Sequence, residues 1–196
     1  MRMQGHTDVP LAAEGTEQAR RLAARLSFCA RPPEAVWSSD LSRAVETARE
    51  IAQPLGLSVR QTPLLRETML GEWEGLTRDQ IVERGDGELL ALYRADSVRH
   101  RPPGAERLED AWDRMHAAAA EISAAHPAGS TAIVGHGGSL RVLLCAALDA
   151  PVTSVKRIWL DNASLSVIST RMAEYGPVTR LMLLNDTAHL SLDPVG

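Results

Sequence analysis

The sequence is poor in the features that mark several large protein classes. It has two cysteines in 196 residues, Cys29 and Cys145, far apart and in neither a CxxC nor a Cys/His spacing. Neither a disulfide framework nor a zinc site is therefore indicated. Both are read as buried free thiols, which suits a reducing, cytoplasmic compartment. No run approaches the roughly 18 apolar residues of a membrane helix, and the opening MRMQGHTDVP lacks the apolar stretch of a signal peptide. Positive charge is not in excess: the formal net charge is -4, so no overall basic field draws in a nucleic acid. Also missing are HExxH, aspartate-rich and GxxxxGK[ST] patterns, so no metal and no cofactor are expected. No repeat, low-complexity tract or interdomain linker divides the chain. With 44% hydrophobic residues, 1–196 is expected to form one domain with a sizeable core.

Periodicity supplies the elements. Ala19, Leu22, Ala23 and Leu26 recur at helical spacing, which predicts an amphipathic helix over 14–27 with Arg20, Arg21 and Arg25 outward. A short strand over 35–38 follows. Ser39 or Asp40 then caps a helix running through Ala44, Ala48 and Ile51 until Pro54 and Gly56 end it. A second short strand is predicted over 57–60. Thr77 and Gln80 have capping-box spacing, so a helix starts near Thr77. Beyond the Arg101-Pro102-Pro103-Gly104 break, Leu108, Trp112, Met115, Ala119 and Ile122 mark one face of a long helix. The β-prone run 131–134 leads through Gly135-His136-Gly137-Gly138 into an apolar helix beginning at Ser139. Runs 164–169 and 178–184, joined by Tyr175-Gly176-Pro177, read as an antiparallel hairpin. Short strands alternating with helices imply a three-layer α/β/α sandwich whose mostly parallel sheet carries the hairpin as an antiparallel edge.

In open α/β sheets, ligands bind beyond the carboxyl ends of the strands, where helix amino ends present unpaired amides. Three segments aim there. Ser38-Ser39-Asp40-Leu41-Ser42-Arg43 places Arg43 in an opening helical turn, where a guanidinium holds a phosphate through two parallel hydrogen bonds; the alternative is a solvated surface arginine. Glu67 follows a strand in a glycine-punctuated loop, Leu65 to Gly75, and is placed to act as a general acid. That role needs desolvation or a nearby negative charge, such as a bound phosphate, to favour the protonated carboxyl. The alternative is an exposed glutamate beside Arg66. His136, flanked by glycines where a strand turns into a helix, would stabilise phosphoryl charge in its protonated form. Its alternative is a histidine tied down in a structural turn. Together the three suit phosphoryl transfer, in which positioning and charge neutralisation dominate. His6, His100, His116, His126 and His189 are read as surface or structural, with His6 having the best claim on the pocket.

These blocks, in this order, resemble the histidine phosphatase superfamily, phosphoglycerate-mutase-like branch, from Met1 to about His189. Arg2-Met3-Gln4-Gly5 with Asp8-Val9-Pro10-Leu11 is similar to its substrate loop and Ser38 to Ala44 to its phosphate-arginine block. Leu65-Arg66-Glu67 with Gly71-Glu72-Trp73-Glu74-Gly75 resembles the block carrying the acid, and Gly135 to Gly138 the second-histidine block. The resemblance implies a pocket in which Arg43 and His136 bind the transferring group, Glu67 supplies a proton, Gln4 and Gly5 line the entrance, and Gly137 lies against the substrate.

Two departures bear on activity. The family opens with a strand ending in Arg-His-Gly, whose histidine becomes a phosphohistidine, and Met1 falls after that point. His6 lies inside the downstream loop and is not its equivalent. Ala12 stands where the family has a serine or threonine cap, a loss of roughly 1 kcal/mol. The expectation is thus a phosphomonoester hydrolase whose nucleophile is missing from these residues, with the chain as given inactive or severely impaired. A fragment or misplaced start would account for this, because strands deprived of a ladder partner leave a domain marginal. The alternatives are a phosphoglycerate mutase, disfavoured by the short segment between Glu67 and His136, and a non-catalytic phosphate-binding or regulatory module. The partner in each case is a small phosphorylated metabolite: a sugar phosphate, a phosphoglycerate or α-ribazole phosphate.

Overall fold

A computed structural model describes residues 2–191; Met1, where the resemblance begins, and residues 192–196 lie outside the described residues. The first helix, α1 (Ala13–Ser27), buries Ala19, Leu22, Ala23 and Leu26, the residues whose spacing predicted it. Its cap residue, Ala12, makes no side-chain cap bond. Strand β1 (Ala35–Ser38) is buried throughout. Helix α2 (Ser42–Ala52), with Leu41 as its cap residue, starts one or two residues later than expected, because the bond that satisfies its first amide comes from a distant residue described below. It closes through a 3-10 turn onto Gly56, whose φ of +67° suits glycine.

Strand β2 (Val59–Gln61) is displaced two residues from the prediction, since Leu57 is spent packing against the helices on that face. The Thr77–Gln80 capping box forms with both bonds made and opens α3 (Arg78–Ile81), which runs through a π turn into α4 (Gly87–Ala95). Helix α5 (Leu108–Ala125) turns Ala111, Met115, Ala118 and Ile122 inward. Strand β3 (Thr131–Val134) leads into α6 (Gly137–Ala147), two residues ahead of the predicted start at Ser139. Both glycines are therefore helical, and His136 is the cap.

The three strands form a parallel sheet in the order β2-β1-β3, with Val36 opposite Val59 and Ala132, and Trp37 opposite Arg60 and Ile133. Alternation along β1 sends Val36 into a cluster with Leu22, Ala48 and Ile51 of α1 and α2, and Trp37 into one with Met115, Ile122 and Val142 of α5 and α6. These are the two helical layers. A third cluster, Trp73, Ile81 and Leu90 with Tyr93, lies under α3 and α4.

The hairpin β4 (Leu165–Ala173) and β5 (Gly176–Asp186) is antiparallel as expected. It is not an edge of the main sheet, however, but a separate two-stranded sheet. Leu165 shares an apolar cluster with Val134, yet no ladder joins β4 to β3 among the described residues. Side-chain packing spans a wider gap than the roughly 4.8 Å of a ladder allows. Arg25 of α1 anchors the hairpin through a two-pronged ion pair with Asp186, at 2.9 and 2.8 Å. Cys145 is buried, but Cys29, just past α1, is exposed. Its apolar neighbour Phe28 is itself exposed, so no core covers it. No helix among the described residues is long and apolar enough to cross a membrane.

Candidate active site

The site forms where β1, the 61–68 segment and β3 deliver their chains to the same end of the sheet. After β1, Ser39 extends the ladder by donating its amide to the Val134 carbonyl at 3.0 Å, which keeps the outgoing chain beside β3. The next helix is capped across the molecule by Asp8, whose carboxylate accepts the Ser42 amide at 2.7 Å and the Ser42 hydroxyl at 2.8 Å. Those bonds hold the Asp8 carboxyl below the usual carboxylate range and fasten the loop of residues 4–11 to the amino end of α2.

Arg43, one residue into α2, uses all three edges of its guanidinium. Nη2 donates to the Gly5 carbonyl and Nη1 to the Thr7 carbonyl, both at 2.9 Å, and Nε donates to His136 Nδ1 at 3.2 Å. Burial lowers its proton affinity while Glu67, Asp8 and Glu74 oppose that; the group remains a cation at any physiological pH. Gly5 is buried with φ +51°, and a Cβ there would fall 2.1 Å from Glu74 Oε1. That oxygen already accepts the amides of His6 and Leu70, each at 2.9 Å.

His136 is 8% exposed. Because Nδ1 accepts from Arg43, the neutral ring carries its hydrogen on Nε2, and that buried atom has no partner. Burial pushes the ring's pKa down to about 4; Glu67 opposes the shift, and Arg43, His6 and Arg114 add to it. At neutral pH His136 is thus an uncharged imidazole with one unused donor.

Glu67 follows a 3-10 turn, Pro63–Leu65, that Thr62 caps with its hydroxyl. Its carboxylate accepts the amides of Gly138 at 3.0 Å, Ser139 at 2.9 Å and its own neighbour Thr68 at 2.8 Å. It therefore occupies the anion seat at the amino end of α6. A Cβ on Gly138 would lie 2.4 Å from Glu67 Oε1, so the close approach requires glycine. Arg66 does not face Glu67; it pairs with Asp40 at 2.7 and 2.6 Å.

The structure brings Arg43, His136, Glu67 and Gly5 together. Gly137 is exposed, with open space where a side chain would stand, and Gln4 is exposed on the same loop as Gly5. His6, read from sequence as surface or structural, belongs to the site: its Nε2 donates to the Glu67 carbonyl at 2.7 Å. Asp8 and Glu74 were also without an assigned role, although both lie in the blocks that carry the resemblance. Their partners are 34 and 68 residues away, at Ser42 and His6, a distance that local spacing does not encode. Among the described residues, no group of three or more His, Cys, Asp or Glu could hold a metal ion.

Known proteins resemble this chain in sequence and in fold. The glucosyl-3-phosphoglycerate phosphatase of Mycobacterium tuberculosis is 35% identical over 205 residues, covering 98% of this chain and 90% of that protein. A probable phosphoglycerate mutase of Salmonella paratyphi C is 31% identical over 174 residues, covering 89% and 80%. Among solved structures, the mycobacterial glucosyl-3-phosphoglycerate phosphatase with inorganic phosphate superposes with a TM-score of 0.84 at 35% identity, over 97% of this chain and 94% of the other. YhfR of Bacillus stearothermophilus gives a TM-score of 0.86 at 28% identity, over 97% and 91%. The family model described as histidine phosphatase superfamily (branch 1) matches residues 1–186, and the chain belongs to that family.

Proposed function

We propose that this protein is a phosphomonoester hydrolase that acts through a phosphohistidine on a small phosphorylated metabolite of the glucosyl-3-phosphoglycerate type. The observation that carries the reading is the pairing of a half-buried guanidinium with a buried imidazole whose Nε2 has no partner. An arriving phosphoryl group supplies both: its oxygens accept from Nε2 and from the guanidinium of Arg43. Its negative charge also favours the charged form of His136, which burial disfavours.

In this reading the transferring phosphoryl group binds between Arg43 and His136, with Gln4, Gly5 and Gly137 at the mouth. The attacking nitrogen belongs to the histidine of the Arg-His-Gly segment that the family resemblance implies, a tripeptide these 196 residues do not contain. It forms the P–N bond as the P–O ester bond breaks, and Glu67 gives a proton to the departing alkoxide. Water then attacks phosphorus, the P–N bond breaks, and Glu67 takes the proton back. The resemblance to glucosyl-3-phosphoglycerate phosphatase supports the substrate class.

The test is phosphate release from glucosyl-3-phosphoglycerate and p-nitrophenyl phosphate by this chain and by the same chain preceded by a strand ending in Arg-His-Gly. The extended protein is expected to turn over and to lose at least about 100-fold activity on Arg43→Ala or His136→Ala. No gain from the extension would reject the reading. Tight phosphate binding without turnover in either form would point to a binding module, and phosphoryl exchange between phosphoglycerates to a mutase.

A further inference from the structure

The Glu67 carboxylate that accepts the α6 amides also accepts the amide of the peptide joining Glu67 to Thr68. At one end of that planar unit, the Thr68 amide donates to Glu67 Oε1. At the other, pointing the opposite way across a trans peptide, the Glu67 carbonyl receives His6 Nε2 at 2.7 Å and Arg114 Nη2 at 3.5 Å. Flipping the peptide would break these bonds together and take away one of the three amides that hold the carboxylate.

Arg114 lies on α5, outside every block that carries the family resemblance, and makes no hydrogen bond to Arg43 or His136. Its Nη1 donates to the carbonyls of Leu64 at 2.6 Å and Arg66 at 2.9 Å. Its Nε and Nη2 meet the two oxygens of Glu106 at 2.8 Å each, and the pair is only 16% and 14% exposed. Glu106 in turn accepts the Met69 amide at 3.3 Å and donates its own amide to the Met69 carbonyl at 3.0 Å. Two side chains thus hold residues 64, 66, 67 and 69. Only a planar fork with five N–H groups can serve three carbonyls and a carboxylate at once; an ammonium cannot.

We infer that Arg114, braced by Glu106, is a positioning residue that fixes the Glu67–Thr68 peptide and so keeps the Glu67 carboxylate on the amino end of α6. Its consequence for catalysis rests on the reading of Glu67 as the proton donor; the positioning itself does not.

The test measures amide hydrogen exchange at Gly138 and Ser139 by NMR in wild type, Glu67→Gln, Arg114→Lys and the double variant, with the β1 amides as reference. Lysine keeps a cation opposite Glu106, so no buried carboxylate is stranded. Glu67→Gln should speed exchange at both amides by about tenfold or more. Arg114→Lys should do likewise although Arg114 touches neither, and the double variant should exceed neither single one. Unchanged rates in Arg114→Lys, or acceleration that includes β1, would overturn the inference. If that variant does not fold, Glu106→Gln loosens the brace and is judged by the same two outcomes with a smaller acceleration expected. Hydrolysis of an alkyl phosphate against p-nitrophenyl phosphate by the active form then addresses the catalytic consequence. In kcat/KM, which reports the first phosphoryl transfer and not the later attack of water that also uses Glu67, Glu67→Gln and Arg114→Lys should lose about 100-fold on the alkyl ester and under about threefold on the aryl ester, which needs no proton to leave. Equal losses on both esters would sink the proton-donor reading, while the exchange data still decide the positioning.

Discussion

Enclosing His136 without a partner for Nε2 ties the stability of the fold to pH through a single ring. Its pKa falls from 6.5 to about 4 on folding. Between those values the unfolded chain binds the proton and the folded chain does not, so stability rises with pH through the window. The contribution is complete above about 6.5 and lost as pH falls toward 4. The full shift corresponds to about 3 kcal/mol, a large share of the roughly 5–15 kcal/mol that holds a domain folded. The ring is 8% exposed, so solvent screening discounts this little. Moving from pH 7 to pH 4.5 should remove about 2 kcal/mol of it, equivalent to about 1 M in urea midpoint for an m-value near 2 kcal/mol/M. His189, whose pKa is also lowered chiefly by burial, acts in the same direction, and Asp8, Asp40 and Asp186 begin to matter only at more acidic pH. The informative quantity is therefore the difference between wild type and His136→Gln, since position 136 makes no side-chain cap bond that glutamine would forfeit. Urea unfolding followed by tryptophan fluorescence should show the wild-type midpoint falling about 1 M further than the variant's between pH 7 and 4.5. Parallel midpoints would mean that the ring is not held neutral, and the account of an unused Nε2 donor would go with it.

Three further outcomes follow from the same contacts. Arg43→Lys keeps the charge but cannot serve Gly5, Thr7 and His136 together, and calorimetry should find inorganic phosphate bound at least about tenfold more weakly; unchanged affinity would place phosphate elsewhere. Gly5→Ala drives a Cβ into Glu74 at positive φ and should cost about 1–3 kcal/mol in thermal unfolding. The same change in a Glu74→Ala background should cost less, and equal losses would rule out the Glu74 contact as the cause. Asp8→Ala deletes both bonds to Ser42 and should lower the melting temperature by about 2–4 °C, the size expected when a helix cap is lost from a chain of this length. No change would mean that the loop is not fastened to α2.

The two strands beside the pocket were legible because apolar runs bounded by turn residues have little alternative, and β1 and β3 begin and end where the pattern placed them. The convergence of Arg43, Glu67 and His136 was legible for a related reason. Each sits just past a strand or turn at one end of a parallel sheet, and such a sheet brings those ends together whatever the intervening helices do. What sequence did not disclose are the bonds made by groups every residue has. Helix α2 begins at Ser42 because of a carboxylate 34 residues earlier, and α6 begins at Gly137 because glycines next to Glu67 leave room for its carboxylate. The separation of the hairpin from the main sheet is likewise invisible, since alternation along a strand specifies its faces and not the neighbour at its edge. Arg114 follows the same rule: its neighbours in the chain mark an ordinary helix, and its partners are main-chain carbonyls 47 to 50 residues away. Residue type and spacing therefore say which charged groups meet, whereas the backbone to which they are bonded decides the angle at which they do. For phosphoryl transfer that angle governs whether a carboxyl proton lies in line with the departing oxygen. Substitutions that move Glu67 should accordingly be found on α5 as readily as in the pocket itself.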